Sequence, residues 1–348
     1  MTYHVHLARS RVRFGVEPGE TVLAAGLRQG LALPFGCQSG TCASCRVRLL
    51  EGRVEHDASL RALSQAERAA GYILMCQAQP LSDLELRLDQ PERLDELRPQ
   101  QLPLRLIERT QLSHDVVGLW TQLPKPALSA GEGGQPFRYL PGQYVDFLIG
   151  DGRRRSFSIA NAPSPAETLE FHLRVTPGGM FAHYAQDTMP QKAILRIEGP
   201  LGAFYMREGE ADDRMPLMMA GGTGFAPIKA MLESQFRAGL PRPVHLFWGA
   251  RSRRDLYLHD LAQDWTRQHS KFRYTPVLSE PDADWTGERG FVHEAVLRAH
   301  PRLESHEVYM AGPPVMVHAG KQAFVQAGLD ADHLYYDSFD YAFETWGK

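Results

Sequence analysis

Four cysteines constrain this chain more than any other feature. Cys37, Cys42 and Cys45 are separated by four and two residues, and Cys76 follows after a further thirty. That is the spacing of a [2Fe–2S] ligand set, with three thiolates from one loop and the fourth from a distant segment. Such a loop must wrap closely around its centre, and Gly36, Gly40, Ser39, Thr41, Ala43 and Ser44 let the backbone approach and turn its amides toward sulfur. The rival is a structural zinc site, but zinc modules usually draw their ligands from two close pairs, and here the fourth cysteine stands alone. The pattern predicts a one-electron centre.

Composition narrows the rest. At 348 residues the chain exceeds what one core organises, and at roughly 100 to 200 residues per domain it divides into two or three. Apolar residues make up 43% and charged residues 23%, which suits ordinary globular cores. Lys plus Arg number 38 against 41 Asp plus Glu, with no basic run to track a phosphate backbone, so nucleic acid is not an expected partner. No apolar stretch approaches the roughly 18 residues of a membrane span, and Met1 to His6 lack a secretory apolar core. The expectation is a cytoplasmic protein without a membrane span, where reduced cysteines favour metal ligation over disulfides.

Three textures succeed one another. Val12, Phe14 and Val16, and again Leu84, Leu86 and Leu88, alternate as strands do, and Ser64 with Glu67 forms a capping box for a helix that Gly71 can close. A polar, proline-bounded stretch from Asp89 to Gln101 reads as a connection. Strand signals then dominate at Leu104 to Ile107, Tyr144 to Ile149, Leu169 to Val175 and Ile194 to Ile197, which suits a small antiparallel barrel. After Pro216, apolar strands at 217–220 and 244–248 alternate with helical patterns, the first at 226–237, as in a parallel α/β fold.

Arg155-Ser156-Phe157-Ser158 lies at the end of a strand preceded by Pro141-Gly142-Gln143-Tyr144. His172-Leu173-Arg174 follows, then Pro177-Gly178-Gly179-Met180-Phe181 before a helical pattern. Gly221-Gly222-Thr223-Gly224 opens the helix after the strand at 217–220, Gly249-Ala250-Arg251 ends the next strand, and Ala311-Gly312-Pro313-Pro314 comes later. Glycines before a helix N-terminus offer backbone amides to phosphate. With the cysteines, these elements in this order resemble the ferredoxin–NADP reductase superfamily, in the arrangement of oxygenase reductases with an N-terminal plant-type ferredoxin.

The resemblance covers nearly the whole chain. It implies a multidomain α+β and α/β protein: a β-grasp-like [2Fe–2S] ferredoxin domain at 1–92, an antiparallel β-barrel FAD domain at 100–210 and a parallel α/β NAD(P)-binding domain at 211–348. It further implies that Arg155 pairs with the flavin pyrophosphate, Phe157 packs on the isoalloxazine and Ser158 lies near N5. A guanidinium suits phosphate, an aromatic ring suits a planar heterocycle, and a hydroxyl can bond the hydride-accepting atom. Ser156, His172 as a ribityl neighbour, Leu173, Arg174, Gly178, Gly179, Met180 and Phe181 complete the expected flavin contacts. Gly222, Thr223, Gly224, Arg251, Gly312 and Pro313 are expected at the dinucleotide. The terminal Tyr335-Tyr336-Asp337-Ser338-Phe339 stretch resembles the aromatic cover of the flavin, with Asp337 near the reacting carbon, Phe339 the candidate cover and Trp346 its competitor. Relatives usually carry Ser or Thr at Ala182 and Cys at Ala311.

The implied activity passes electrons from NADH through FAD and the cluster to a partner protein. Arg251, Arg253 and Arg254 leave NADPH as the alternative donor. The runs at 153–163 and 197–202 look closest to reductases of CDP-6-deoxy-glucoseen reduction, whose partner is a dehydrase. The same architecture serves aromatic-ring dioxygenases and di-iron monooxygenases, with an oxygenase component as acceptor. A redox-sensing module without turnover is the reading from another class.

Overall fold

The computed structural model describes residues 2–8, 12–31, 33–35, 38, 40, 43, 45–56, 62–88, 97, 99–124, 136–150, 152–207 and 213–339. They form two compact units. One holds residues 1–100 with 135–138 and 199–203, and the other holds 101–134, 139–198 and 204–348.

In the first unit, β1 (Tyr3–Leu7), β2 (Arg13–Val16), α1 (Val22–Arg28), β3 (Arg46–Glu51), β4 (Val54–Glu55), α2 (Gln65–Ala69), β5 (Tyr72–Leu74), β6 (Gln79–Pro80) and β7 (Leu84–Arg87) follow in order. Five strands make one sheet in the order β2-β1-β7-β3-β5, with β1 parallel to β7 and the other pairs antiparallel. Of the alternation read from sequence, Phe14, Val16, Leu84, Leu86 and Leu88 are buried and Val12 is half-buried, and Val5 and Leu7 of β1 are buried too. Helix α1 starts where Thr21 accepts a bond from the Ala24 amide at 3.2 Å, and it turns Val22, Leu23 and Ala25 inward. The capping box of α2 forms as expected, with Ser64 and Glu67 bonded reciprocally, and Gly71 takes φ +84° just past its end.

The second unit begins with β8 (Gln100–Ser113), β9 (Val116–Gln122), β10 (Tyr144–Leu148), β11 (Arg154–Ser158), β12 (Thr168–Arg174), the short α3 (Met180–His183) and β13 (Ile194–Leu201). Their sheet runs β11-β10-β13-β8-β9-β12, and a bridge between Ile159 and Phe171 joins its two edges. That bridge curls the sheet into a barrel and removes its open edges. Phe147, Phe171, Leu119 and Val145 fill the interior.

The nucleotide fold continues with β14 (Met215–Gly221), α4 (Phe225–Arg237), β15 (Val244–Ala250), α5 (His259–Gln268), β16 (Phe272–Leu278), β17 (Glu288–Arg289), α6 (Val292–Ala299), β18 (His306–Gly312), α7 (Pro314–Gln326) and β19 (Leu334–Ser338). All six strands are parallel, in the order β17-β16-β15-β14-β18-β19. The chain walks outward from β14 to β17 and then returns to its other side. The strand order therefore reverses at β14 and β18, and ligands of such sheets sit beyond the carboxyl ends of the strands at that point. Gly221 and Gly312 end those two strands.

Candidate functional site

Two of the four cysteines, Cys45 and Cys76, lie among the described residues; Cys37 and Cys42 lie outside them. Cys45 and Cys76 are buried and reduced, with their sulfurs 3.1 Å apart. That exceeds the roughly 2.05 Å of a disulfide, and the two thiols converge as ligands of one centre do. The backbone holds them there, since the Met75 amide donates to the Cys45 carbonyl at 3.0 Å. Gln38, Gly40 and Ala43 take φ of +55°, +77° and +56°, left-handed values of the kind that tight backbone turns use. A buried pair of soft sulfur donors fits an iron–sulfur cluster.

On β11 the side chains alternate. Arg155 and Phe157 are half-buried, Arg154 and Ser156 are exposed, and Ser158 at the strand's end is buried opposite Tyr144. Phe157 and Phe181 come together, with ring centroids 5.7 Å apart, and both lean on Phe147 in the barrel core at 5.6 and 5.1 Å. This aromatic shelf leaves Phe157 partly open, as a stacking partner must be. Gly178 has φ +83° with nothing within 4 Å of the position a Cβ would take, so the turn before α3 faces open space. These features fit a flavin. Ser156 differs from expectation: its hydroxyl donates to Asp146 at 2.6 Å, on the face of Arg154 and away from Phe157. The Gly178–Met180 turn also uses two amides expected for phosphate, because Gly179 donates to Thr176 and Met180 to Gly178, at 2.9 and 3.0 Å.

His172 is a correction. Its side chain is fully buried, Nε2 is 2.8 Å from Glu170 and Nδ1 is 2.9 Å from the Tyr257 hydroxyl, so the imidazole has no face left for a ribityl chain. Burial holds it below its ordinary pKa, against the pull of Glu170. The neutral ring then donates from Nε2 to Glu170 and accepts from Tyr257. Leu173 is likewise buried within the barrel. Arg174 leaves the barrel: its guanidinium lies 3.0 Å from where a Cβ on Gly222 would stand, and its Nε pairs with Asp115 at 3.2 Å.

The glycines at the nucleotide turn are fixed by packing as much as by ligand. A Cβ on Gly224 would collide with the Ala311 carbonyl, and one on Gly221 would strike the Met316 side chain. Gly222, at φ +53°, makes the turn itself. The Trp248 indole donates to the Gly222 carbonyl at 3.0 Å and stacks on Phe225 at 3.9 Å, which locks the turn. Thr223 is buried. At the neighbouring strand end, Gly312 takes φ +147°, Pro313 packs toward Gly221, and the Phe339 amide donates to the Gly312 carbonyl at 3.0 Å. Asp337 pairs across β19 with Ala311. The Tyr335–Phe339 segment thus arrives at the switch point, with Phe339 partly exposed; Trp346 lies outside the described residues.

Beyond β15, Arg251, Arg253 and Arg254 are exposed. Asp255 is committed locally: hydrogen bonds from the Ser252 amide and hydroxyl, both 2.8 Å, hold its carboxyl below the usual range although burial pushes it up. Sequence reasoning missed Trp248 and Phe291. Phe291 is 62% exposed, and its neighbour Val292 lies 2.8 Å from the Cβ position of Gly249. A bare aromatic beside a dinucleotide turn is a platform for a planar base. The signal available was its place directly after Gly290, at the foot of a helix.

Comparison with known proteins agrees with this architecture. Residues 5–81 match the 2Fe-2S iron-sulfur cluster binding domain, 103–205 the Oxidoreductase FAD-binding domain and 218–322 the Oxidoreductase NAD-binding domain. The chain is 35% identical over 340 residues to the CDP-6-deoxy-L-threo-D-glycero-4-hexulose-3-dehydrase reductase of Yersinia pestis, covering 97% of this chain and 99% of the relative. It is 33% identical over 356 residues to the phenol 2-monooxygenase reductase component of a Pseudomonas species, covering 100% and 97%. The crystal structure of the Amycolatopsis reductase GcoB superposes with a TM-score of 0.72 at 31% identity, over 97% of this chain and 99% of that one. No helix among the described residues is long and apolar enough to cross a membrane. The cofactors are a [2Fe–2S] cluster, FAD and a nicotinamide dinucleotide, and the electrons leave for an accepting partner protein. The chain belongs to the ferredoxin–NADP reductase-like family, as an NAD(P)H-dependent electron-transfer oxidoreductase with an N-terminal iron–sulfur domain.

Proposed function

We propose that this reductase takes its electrons from NADH and delivers them, in the cytoplasm, to a dehydrase acting on a CDP-6-deoxy-hexulose. The full-length match to the Yersinia pestis reductase carries this reading, because it spans all three domains without a gap of domain size. When bound, FAD converts the two-electron hydride of NADH into single electrons that the cluster can relay. We assign functional boundaries at 1–92, 100–210 and 211–348.

The protein's own groups divide the work. Arg155 supplies charge for the flavin pyrophosphate, the half-open Phe157 ring supplies a stacking face, and the Ser158 hydroxyl, buried at the end of β11, bonds the atom that receives hydride. Arg174, brought to the glycine turn by β12, faces the dinucleotide phosphates in place of the flavin. Phe291 supports the adenine and Arg251 the adenosine portion, while Phe339 covers the flavin beside Asp337. Cys37, Cys42, Cys45 and Cys76 hold the cluster. NADH is favoured because Arg253 and Arg254 are adjacent at the start of a short helical turn, so at most one of them can face a 2′-phosphate.

The test is reconstitution. NADH oxidation should be coupled to reduction of a CDP-4-keto-6-deoxyhexose when the dehydrase is added, with kcat/KM for NADH above that for NADPH. Arg251→Ala should raise KM for NADH about tenfold with little change in kcat, the mark of uniform binding lost. Coupling only to an oxygenase component would favour the second reading, which rests on the full-length match to the phenol 2-monooxygenase reductase component.

A further inference from the structure

We propose that Lys229, with Glu170 and Glu233, is a positioning device that sets the register between the nicotinamide turn and the flavin strand, so that hydride transfer depends on it more than cofactor binding does. The inference rests on the reading of Ser158 as the flavin-facing residue.

Lys229 lies on α4, the helix that the glycine turn opens, and is 5% exposed. Its ammonium has three protons and three acceptors: the Ala160 carbonyl at 3.1 Å, Glu170 at 2.8 Å and Glu233 at 2.7 Å. The second oxygen of Glu233 accepts from the Ala162 amide at 3.0 Å. Helix α4 therefore grips Ala160 and Ala162, a segment that begins two residues after Ser158. A second route runs from the same turn. Trp248, bonded to Gly222, meets Tyr257 edge-on at 5.2 Å; the Tyr257 hydroxyl bonds His172, and His172 bonds the other oxygen of Glu170. Both routes leave the glycine turn, and both end at Glu170.

Stability alone does not call for this arrangement. Burying charges is costly, and well-packed apolar residues often replace such groups at no loss. What a fully satisfied buried network adds is a single permitted geometry. Hydride transfer needs that, since a displacement of about 1 Å can cost on the order of 100-fold in rate. In the step concerned NADH is oxidised and the flavin reduced by two electrons, so its rate reads the register directly.

The experiment is single-turnover flavin reduction by NADH in the full-length holoprotein, giving a limiting rate and a Kd separately. In Lys229→Met the limiting rate should fall about tenfold or more while the NADH Kd stays within about threefold, and Lys229→Arg should recover part of the rate. Hydrogen exchange at the Ala162 amide should quicken in Lys229→Met, an outcome independent of turnover. A limiting rate unchanged in Lys229→Met, or a loss explained by Kd, overturns the proposal. If Lys229→Met loses FAD, Lys229→Met with Glu170→Gln, which removes the charge imbalance, is read by the same criteria. Loss of FAD from both would mark the network as structural and also overturn it. Failure of the wild type to be reduced by NADH would instead refute the functional reading itself.

Discussion

At the cluster end the motif residues are themselves the working parts: Cys45 and Cys76 bring their sulfurs to 3.1 Å, and the side chains are the chemistry. At the nicotinamide turn the motif residues are glycines whose neighbours do the work. Gly224 is small because the Ala311 carbonyl passes against it, Gly222 turns because Trp248 holds its carbonyl, and the cation there is Arg174 from another sheet. The first site is specified by what its residues carry, the second by what they leave out. The two should fail differently when altered.

The largest effect is expected at the ligands. Cys76→Ser should cut NADH-driven cytochrome c reduction about 100-fold through loss of the cluster, while ferricyanide reduction, which can draw on the flavin directly, stays within about twofold. Equal loss of both activities with FAD retained would erase the distinction between the two ends. Next comes Gly224→Ala. A Cβ that meets backbone cannot be relieved by a rotamer, so the nucleotide fold should lose about 2 to 3 kcal/mol in denaturant titrations with the cluster absorbance intact. A stability equal to wild type would show the glycine to be there for ligand access only.

The smallest effect concerns acid. His245 contacts His300 at 3.0 Å and Thr275 at 2.8 Å, and burial together with the His300 and Arg273 charges pushes it down to about 3. His300 and His306 shift the same way, chiefly through burial. Each is held neutral in the fold and takes up protons more readily when unfolded. Their contribution is therefore complete above the ordinary histidine pKa, about 6.5, and is lost progressively as pH falls toward the folded values. The melting temperature of the nucleotide fold should drop by about 4 °C or more from pH 7.5 to pH 5.5, and His245→Asn should flatten that slope. His56 in the first unit shifts in the same direction, so a steeper acid response of the cluster domain would reverse the ranking.

Legibility follows the same division. The cysteine spacing, the Ser64–Glu67 capping box and the strand alternation at Phe14, Val16, Leu84 and Leu86 declare themselves because each is a local rule about side chains. The barrel and the parallel sheet were readable from the change in texture near Pro216. Lys229 and Glu170 were not, since 59 residues separate them and each alone reads as a solvated charge. His172 was expected beside the ribityl chain, and its actual partners were hidden because Glu170 lies two residues back on the same strand and Tyr257 on a loop 85 residues away. Phe291 went unnoticed because an aromatic before an apolar helix is ordinarily core, and only the fold shows it bare.

Among the described residues, strand β19, at one edge of the nucleotide sheet, is also the last strand, and it pairs only with β18. During synthesis the five-stranded sheet of the first unit is complete with Arg87, a quarter of the way along the 348 residues, and has every strand it needs while most of the polypeptide is still unmade. The nucleotide sheet must wait for Ser338. The sheet at the electron exit can therefore form before the sheet at the entrance has all its strands, so synthesis is able to proceed in the reverse order of electron flow.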